Sequence, residues 1–421
     1  MTAISPMPPY ALTAPPAPET PVLRGAWVTD HVLVGAGYGG LLAAIALAER
    51  GARVMVIDAQ ELGFGGSGRN HGQCIPVYRY LDPERLPPEG FELLLNSGAG
   101  VFDTIRRFDI ACEAVQNGTL TAAHTPRTLE TTRATHARYA RWGKAGGYLD
   151  RDGVADWAGT RDYLGGWIHR DGGHLNPLAY VRGLARAAQS LGVKVHTGTP
   201  MTGLRRDNGR WIVSIPLGEI SAQAVGLTTD IYATAAIPAT LRRTVFPLTA
   251  YGLASRPLTP EERRQVLPGG TNFGETRHDP MFFRIDTAGR IIGGGLVELR
   301  RGRNAEVTAA RLTRRLAARW PVLQGLTWDH LWTGRISMAM DQMPSIQRLD
   351  DGLWGLTGWS GRGVPTSAAL GQALARTMID PADGARLWPA TTPPRIFARH
   401  ALGLMIQTFR GPLNQLRDRT G

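Results

Sequence analysis

The segment Gly35-Ala36-Gly37-Tyr38-Gly39-Gly40 follows the apolar run His31 to Val34 and opens an Ala/Leu-rich stretch. In that setting Gly35 permits a tight turn, Gly37 lets the backbone approach a diphosphate, and Gly40 allows a helix to pack closely on its strand. The N–H groups at the helix start, with the positive end of its dipole, then face the phosphates. Asp58, with Ala59 beside it, stands 23 positions after Gly35 at the end of a second apolar run. A carboxylate there accepts hydrogen bonds from ribose hydroxyls and disfavours the 2′-phosphate of NADP. The next segment runs Gly63-Phe64-Gly65-Gly66-Ser67-Gly68-Arg69-Asn70-His71-Gly72-Gln73. So many glycines expose backbone donors, and Ser67, Arg69 and Asn70 add a hydroxyl, a cation and an amide. A ribityl diphosphate needs those groups, so the pair of motifs predicts FAD rather than NAD; the bland alternative is an ordinary surface loop.

The elements that must hold these residues follow from periodicity. A strand over His31 to Val34, a helix from Gly39 to Arg50 stopped at Gly51, and a strand from Arg53 to Ile57 make a βαβ unit. Residues 90 to 145 read as helical, as does Asn176 to Leu191 before a strand from Lys194 to His196. Alternation and β-branched content predict strands from Trp211 to Ile215 and from Phe282 to Leu296, the latter turned at Thr287-Ala288-Gly289. The first 25 or so residues are rich in Pro and Ala and read as an extended arm over the surface. The domain expectation is therefore an arm over 1–27, a discontinuous FAD-binding domain over 28–90, 150–245 and 330–385, a substrate domain over 91–149 and 246–329, and a helical tail over 386–421.

Composition narrows the function classes. A chain of 421 residues can bury a large core. No run is long and apolar enough for a membrane span, and no secretory leader is visible, so a cytoplasmic enzyme is expected. Cys74 and Cys112 are too few for a disulfide framework and lack ligand spacing, and no metal site is predicted. The net charge is +12, and all but two of the 47 basic residues are arginine. These arginines are scattered rather than interleaved with aromatics in one tract, which argues against nucleic acid. The densest group, Arg300 to Arg319, alternates with Leu and Ala at helical spacing and reads as a solvated helix face.

With these motifs the chain resembles the D-amino-acid oxidase superfamily of flavoenzymes, most nearly its gamma-glutamylputrescine oxidase-like branch. The resemblance rests on the Pro-rich arm, Gly35 to Gly40 and Gly63 to Gln73. It extends through Tyr251, Pro257-Leu258, Phe283-Arg284, Gly293-Gly294-Gly295, Trp332-Thr333-Gly334, Met343-Pro344 and Gly358 to Val364. It implies an α/β fold in which a Rossmann-type FAD-binding domain is interleaved with an antiparallel-sheet substrate domain. It also implies that Gly361, Arg362, Gly363, Val364 and Pro365 start a helix facing the pyrimidine side of the flavin, where the helix dipole stabilises negative charge. Two positions depart from the branch: Arg362 stands where histidine is common, and His71 where glycine is usual. Some superfamily members tether FAD through a nearby histidine, so a bond to His71 is an alternative to noncovalent binding.

The resemblance implies oxidation of a carbon–nitrogen bond in an amine or amino acid by hydride transfer to flavin N5, with oxygen or an electron carrier as acceptor. Candidate pocket residues are His71, Tyr251, Arg284, Trp332 and Trp359. Aromatics can box an amine, and Arg284 can meet a distal carboxylate. Against that, Tyr251 on an apolar strand can be core, Arg284 can face water, and both tryptophans can be packing residues. Ile336 stands where glycine oxidase-like relatives carry a carboxylate-binding arginine, which counts against an α-amino acid held that way. Competing readings are a flavin monooxygenase or other flavin reductase, or a flavin-bearing electron-transfer or assembly subunit. The last is motivated by the tail from Ala398 to Arg419, whose Leu402, Leu404, Met405, Ile406 and Phe409 mix with Arg410, Arg417 and Arg419 and can dock on a partner or an anionic membrane, although a packed terminal helix is the simpler reading.

Overall fold

Short apolar runs that alternate with helices bury both faces when they pair in parallel, and here they do. The computed structural model describes residues 4–78, 81–144, 146–299 and 304–420, with backbone alone for 410–413 and 415–420. Its central sheet has the order Ser345–Asp350, Leu353–Thr357, Ala224–Leu227, His31–Val34, Val54–Ile57, Lys194–His196. The last five strands are parallel and Ser345–Asp350 is an antiparallel edge. Helices Tyr38–Ala48, Pro177–Ser190 and Gly363–Ile379 cover one face. The first is buried from Tyr38 to Leu47, apolar all round because it lies between sheet and neighbouring helices. The other face is closed by a four-stranded sheet, Gly25–Val28, Gly218–Ala222, Arg210–Ile215 and Gly203–Asp207, whose Trp211, Val213 and Ile220 pack on Val32, Met55 and Val225.

The second unit is an eight-stranded sheet in the order Trp328–Met338, Phe246–Pro257, Arg290–Leu296, Phe282–Ile285, Asn272–Glu275, Thr119–Ala123, Gly165–His169, Gly147–Leu149. All its pairings are antiparallel except Asn272–Glu275 with Thr119–Ala123. Its outer face carries Leu253, Phe283 and Ile291 against helix Ala305–Ala317. Its inner face, turned to the Rossmann unit, carries Ala254, Ile292 and Trp332.

Several expectations are corrected. Thr119–Ala123, inside the stretch read as helical, is a strand; Gly165–His169 and Trp328–Met338 belong to the large sheet although most of each fell in the blocks assigned to the FAD domain. Helices Pro88–Leu95 and Ser97–Arg107 pack Phe91, Leu94, Val101 and Phe102 into the core of the Rossmann unit rather than the substrate unit. Pairing partners far away in sequence, not local propensity, set these memberships. The N-terminal arm does more than lie on the surface: it forms a 3-10 turn at Pro9–Leu12 and inserts Tyr10, 2% exposed, against Trp332. The arginine-rich helix is not simply solvated either. Arg311, Arg315 and Arg319, one turn apart, converge on Asp279 and the wholly buried carboxylate of Glu275. Arg300, Arg301 and Arg303 lie outside the described residues.

Candidate cofactor and substrate site

Four parallel strands leave the central sheet at one edge, into Gly35, Asp58, Thr228 and Gly358. The carboxyl edge of such a sheet is where ligands bind in doubly wound folds. Gly35 takes φ +116° there, closed to ordinary side chains, and a Cβ on Gly40 would drive into the Gly35 carbonyl. Asp58 Oδ2 accepts from Ala36 N at 2.7 Å and Oδ1 from Gln60 N at 2.9 Å. Burial raises its pKa, opposed by hydrogen bonds from the Gln60, Ala36 and Ala59 backbone. Asp58 thus ties the second strand to the fingerprint turn.

Helix starts at this edge lack a side-chain cap, as do those of Pro88–Leu95, Ser97–Arg107 and Ala239–Arg242. Elsewhere, Thr125, Asp150, Asn176, Thr259, Asn304 and Asp380 each cap a helix with a side-chain oxygen. Helices Tyr38–Ala48, Gly66–Arg69 and Gly363–Ile379 begin at Gly37, Gly65 and Arg362 without such a cap. The Tyr38 N–H donates to Ser67 Oγ at 3.0 Å, and a Cβ on Gly37 would stand 3.0 Å from that oxygen, so the two glycine motifs meet. Uncapped amides beside a glycine cradle suit a dinucleotide diphosphate, and these residues fit FAD.

The polar side chains of the flavin loop work mainly on the loop itself. Arg69 Nε donates to Phe64 O at 2.8 Å, and Asn70 Nδ2 donates to Gly66 O at 3.0 Å while its Oδ1 accepts from Gly72 N at 2.8 Å. Gln73 Nε2 donates to Phe283 O at 3.2 Å. Gly68 comes so close to Gly63 that a Cβ would strike its carbonyl. Tyr38 is buried with its hydroxyl donating to Pro177 O at 3.0 Å, and a side chain on Gly39 would meet the Trp359 ring at 2.8 Å. Trp359 is therefore packed under the fingerprint helix. Gly361 takes φ +79°, Arg362 Nε donates to Val77 O at 3.3 Å, and Val364 and Pro365 are buried in the first turn of their helix.

The pocket candidates fall on two sides of the large sheet. His71, half-buried, lies on the inner face with ring centroids 5.3 Å from Phe282 and 6.3 Å from Trp332, and its Nε2 faces the Tyr251 carbonyl at 3.2 Å. Trp332 Nε1 donates to Arg69 O at 2.8 Å. Arg284 does not face water: it is 1% exposed and donates Nε to His71 O at 2.7 Å. The Tyr251 side chain packs with the outer-face cluster, where its hydroxyl is pushed above its ordinary pKa by burial, so only its carbonyl reaches His71.

Asp230 escaped the sequence reading. It follows strand Ala224–Leu227 at φ +47°, and its Oδ1 accepts from Gly358 N at 3.1 Å. Burial raises its carboxyl to about 6, opposed by hydrogen bonds from Ser337, Gly358 and Ile231. The run Thr228-Thr229-Asp230 directly after the apolar segment Ala224 to Leu227 was the available signal.

Among the described residues no group of acids, histidines and cysteines is placed to hold a metal, and no helix is long and apolar enough to cross a membrane. Both cysteines are buried and free.

Residues 30–377 match the DAO family, described as FAD dependent oxidoreductase. The gamma-glutamylputrescine oxidoreductase of Escherichia coli (strain K12) is 25% identical over 382 residues, 88% of each chain. A probable oxidoreductase OrdL of Rhizobium meliloti (strain 1021) is 28% identical over 394 residues, 90% of each chain. Among solved structures, L-proline dehydrogenase from P. horikoshii superposes with TM-score 0.73 at 17% identity, covering 86% of this chain and 95% of that one. Glycine oxidase from Geobacillus kaustophilus gives 0.71 at 18% identity, covering 84% and 95%.

Proposed function

The chain belongs to the DAO family of FAD-dependent oxidoreductases, and from that premise we propose that it oxidises a carbon–nitrogen bond of a small amine or amino acid to an imine, which water then hydrolyses. The observation that supports this most is the aromatic inner sheet face, where the partly exposed rings of His71 in the flavin loop and Phe282 stand together against the buried Trp332. Rings so placed enclose an amine and exclude water, and positioning rather than a protein nucleophile then carries the rate. When bound, the flavin supplies the two-electron acceptor for hydride at its N5.

The roles of the chain's own residues follow. Gly35, Gly37 and Gly40 let backbone approach the diphosphate, Asp58 takes the ribose, and the uncapped starts at Gly65 and Arg362 offer amides to the ribityl chain and the pyrimidine edge. His71 is neutral near pH 7, because burial pushes its imidazole down to about 4, so it adds no charge that would repel a protonated amine. Arg284 supports the flavin loop instead of reaching substrate, and with Ile336 replacing the arginine of glycine oxidase-like relatives, substrate binding does not turn on an α-carboxylate. The names of relatives acting on gamma-glutamylputrescine, glycine and L-proline support the same substrate class. FAD is held noncovalently and the enzyme works in the cytoplasm.

Anaerobic mixing with a panel of amines and amino acids tests the reaction: a substrate bleaches the flavin band at about 450 nm. Failure of every amine to bleach it, with NADPH oxidised instead, would replace this reading by a flavin reductase. Acid precipitation tests the linkage, and yellow colour retained in the pellet would establish a covalent tether.

A further inference from the structure

Four consecutive main-chain carbonyls of the flavin loop are each held from a different part of the chain. Arg69 O accepts from Trp332 Nε1 at 2.8 Å, Asn70 O from the Tyr10 hydroxyl at 2.7 Å, His71 O from Arg284 Nε at 2.7 Å, and Gly72 O from Leu175 N at 2.8 Å. The three side-chain donors are 2%, 2% and 1% exposed. Buried donors with buried acceptors fix peptide planes, because a carbonyl released from its partner in such a place stays unsatisfied.

Across a trans peptide the following N–H points away from the carbonyl, so pinning the carbonyls also aims the amides. The Asn70 N–H returns to Gly66 O at 3.1 Å and the Gly72 N–H to Asn70 Oδ1 at 2.8 Å. The His71 N–H meets no acceptor among the described residues, and it belongs to the peptide whose carbonyl Tyr10 holds. That amide therefore leaves the loop on the side opposite Tyr10.

Tyr10 comes from the proline-rich arm, far from the loop in sequence, and the arm is seated with some care. Asn176 Nδ2 donates to Tyr10 O at 3.0 Å and to Thr13 Oγ1 at 3.1 Å, and Arg182 Nη1 donates to Pro15 O at 2.9 Å. The Tyr10 ring stands edge-on to Trp332 at 5.6 Å. Burial raises the phenol's pKa against the opposing charge of Arg284, so the hydroxyl stays protonated and can donate. A strap with no other function needs an apolar plug at this point; a hydroxyl delivered to one peptide carbonyl needs a reason.

We propose that Tyr10 is a positioning residue of the cofactor site: it locks the Asn70–His71 peptide so that the His71 amide is presented to the bound flavin, making the N-terminal arm part of the redox centre. The inference rests on FAD occupying the crevice as described above.

Tyr10→Phe keeps the ring and removes only the donor. The expected result is an FAD dissociation constant raised about tenfold in fluorescence titration of the apoprotein, with an altered visible flavin spectrum and a more negative midpoint potential. A merely structural ring contact would leave spectrum and potential unchanged. A Tyr10→Phe protein with wild-type dissociation constant, spectrum and potential overturns the proposal, whatever its melting temperature. Should that variant fail to fold, Thr13→Val in the full chain loosens the arm without touching the loop; it is expected to weaken FAD retention in the same direction, and wild-type retention overturns the proposal. A wild-type protein that binds no FAD would instead defeat the functional reading, which keeps the two failures apart.

Discussion

His71 Nε2 and the main-chain oxygen of Tyr251 lie 3.2 Å apart across the inner face of the large sheet. A carbonyl only accepts, so this bond places the ring proton on Nε2 and requires no second proton on Nδ1. Burial lowers the imidazole to about 4, the Tyr251 carbonyl opposing and the Arg284 charge adding to that effect.

A pH dependence follows with a definite sign. The folded pKa lies below the ordinary value of 6.5, so folding excludes a proton that the unfolded chain binds, and stability is whole above about pH 6.5 and lost as pH falls towards 4. Wild type is expected to lose about 1–2 kcal/mol more than His71→Gln between pH 7 and 4.5. Denaturant titrations of both proteins at the two pH values measure this, and parallel losses would contradict the assignment.

Gly40 gives a test of the fingerprint that needs no assay of turnover. A Cβ there would overlap the Gly35 carbonyl and approach Thr228 Oγ1 at 2.7 Å, and backbone cannot move aside as a flexible side chain can. Gly40→Ala is expected to cost about 1–3 kcal/mol and to abolish yellow colour in the purified protein. Gly147→Ala, on the edge strand of the large sheet and with open space around its missing Cβ, is the control and should stay yellow.

What could be read in the sequence was local in origin. The strand, glycine turn, helix and acid from His31 to Asp58 declare themselves because each depends on neighbours within one βαβ unit, and the helix that begins at Asn176 is local in the same way. Thr119–Ala123 could not be read as a strand because both of its partners, Gly165–His169 and Asn272–Glu275, lie well beyond it along the chain. Arg284 looked free to face water because alternation gives a face but not what covers it, and the cover is the His71 carbonyl. Tyr10 and Asp230 were invisible for the same reason: their partners, Asn70 and Gly358, are distant in sequence.

Asp230 supplies a prediction of opposite slope to that of His71. Its carboxyl is raised to about 6 from 3.8, so between those values the folded chain keeps a proton that the unfolded chain has released, and stability falls as pH rises through that window. Asparagine tolerates the left-handed backbone at φ +47° and still accepts from Gly358 N. Asp230→Asn is therefore expected to stabilise the protein by about 1–2 kcal/mol at pH 7.5 and to leave it nearly unchanged at pH 4. Melting curves at the two pH values decide it, and an equal effect at both would show that charge is not the cause.

The terminal helix Arg399–Thr420 makes the last prediction, because docking outward on a membrane or partner and packing inward demand different things of one residue. Gln407, 7% exposed, answers strand backbone in both directions: its Oε1 accepts from Thr249 N at 3.3 Å, and its Nε2 donates to Thr249 O at 3.2 Å and Val297 O at 2.9 Å. Asn414 Nδ2 donates to His278 O at 2.6 Å further along, while Leu404, Met405 and Phe409 are exposed and the side chains of Arg410, Arg417 and Arg419 lie outside the described residues. Leucine at 407 matches the length but strands the Thr249 amide, so Gln407→Leu is expected to cost about 1–3 kcal/mol in denaturant unfolding. A helix held only as an outward docking arm would leave global stability untouched by that change, and an unaltered midpoint would show that the Gln407 contacts do not anchor it.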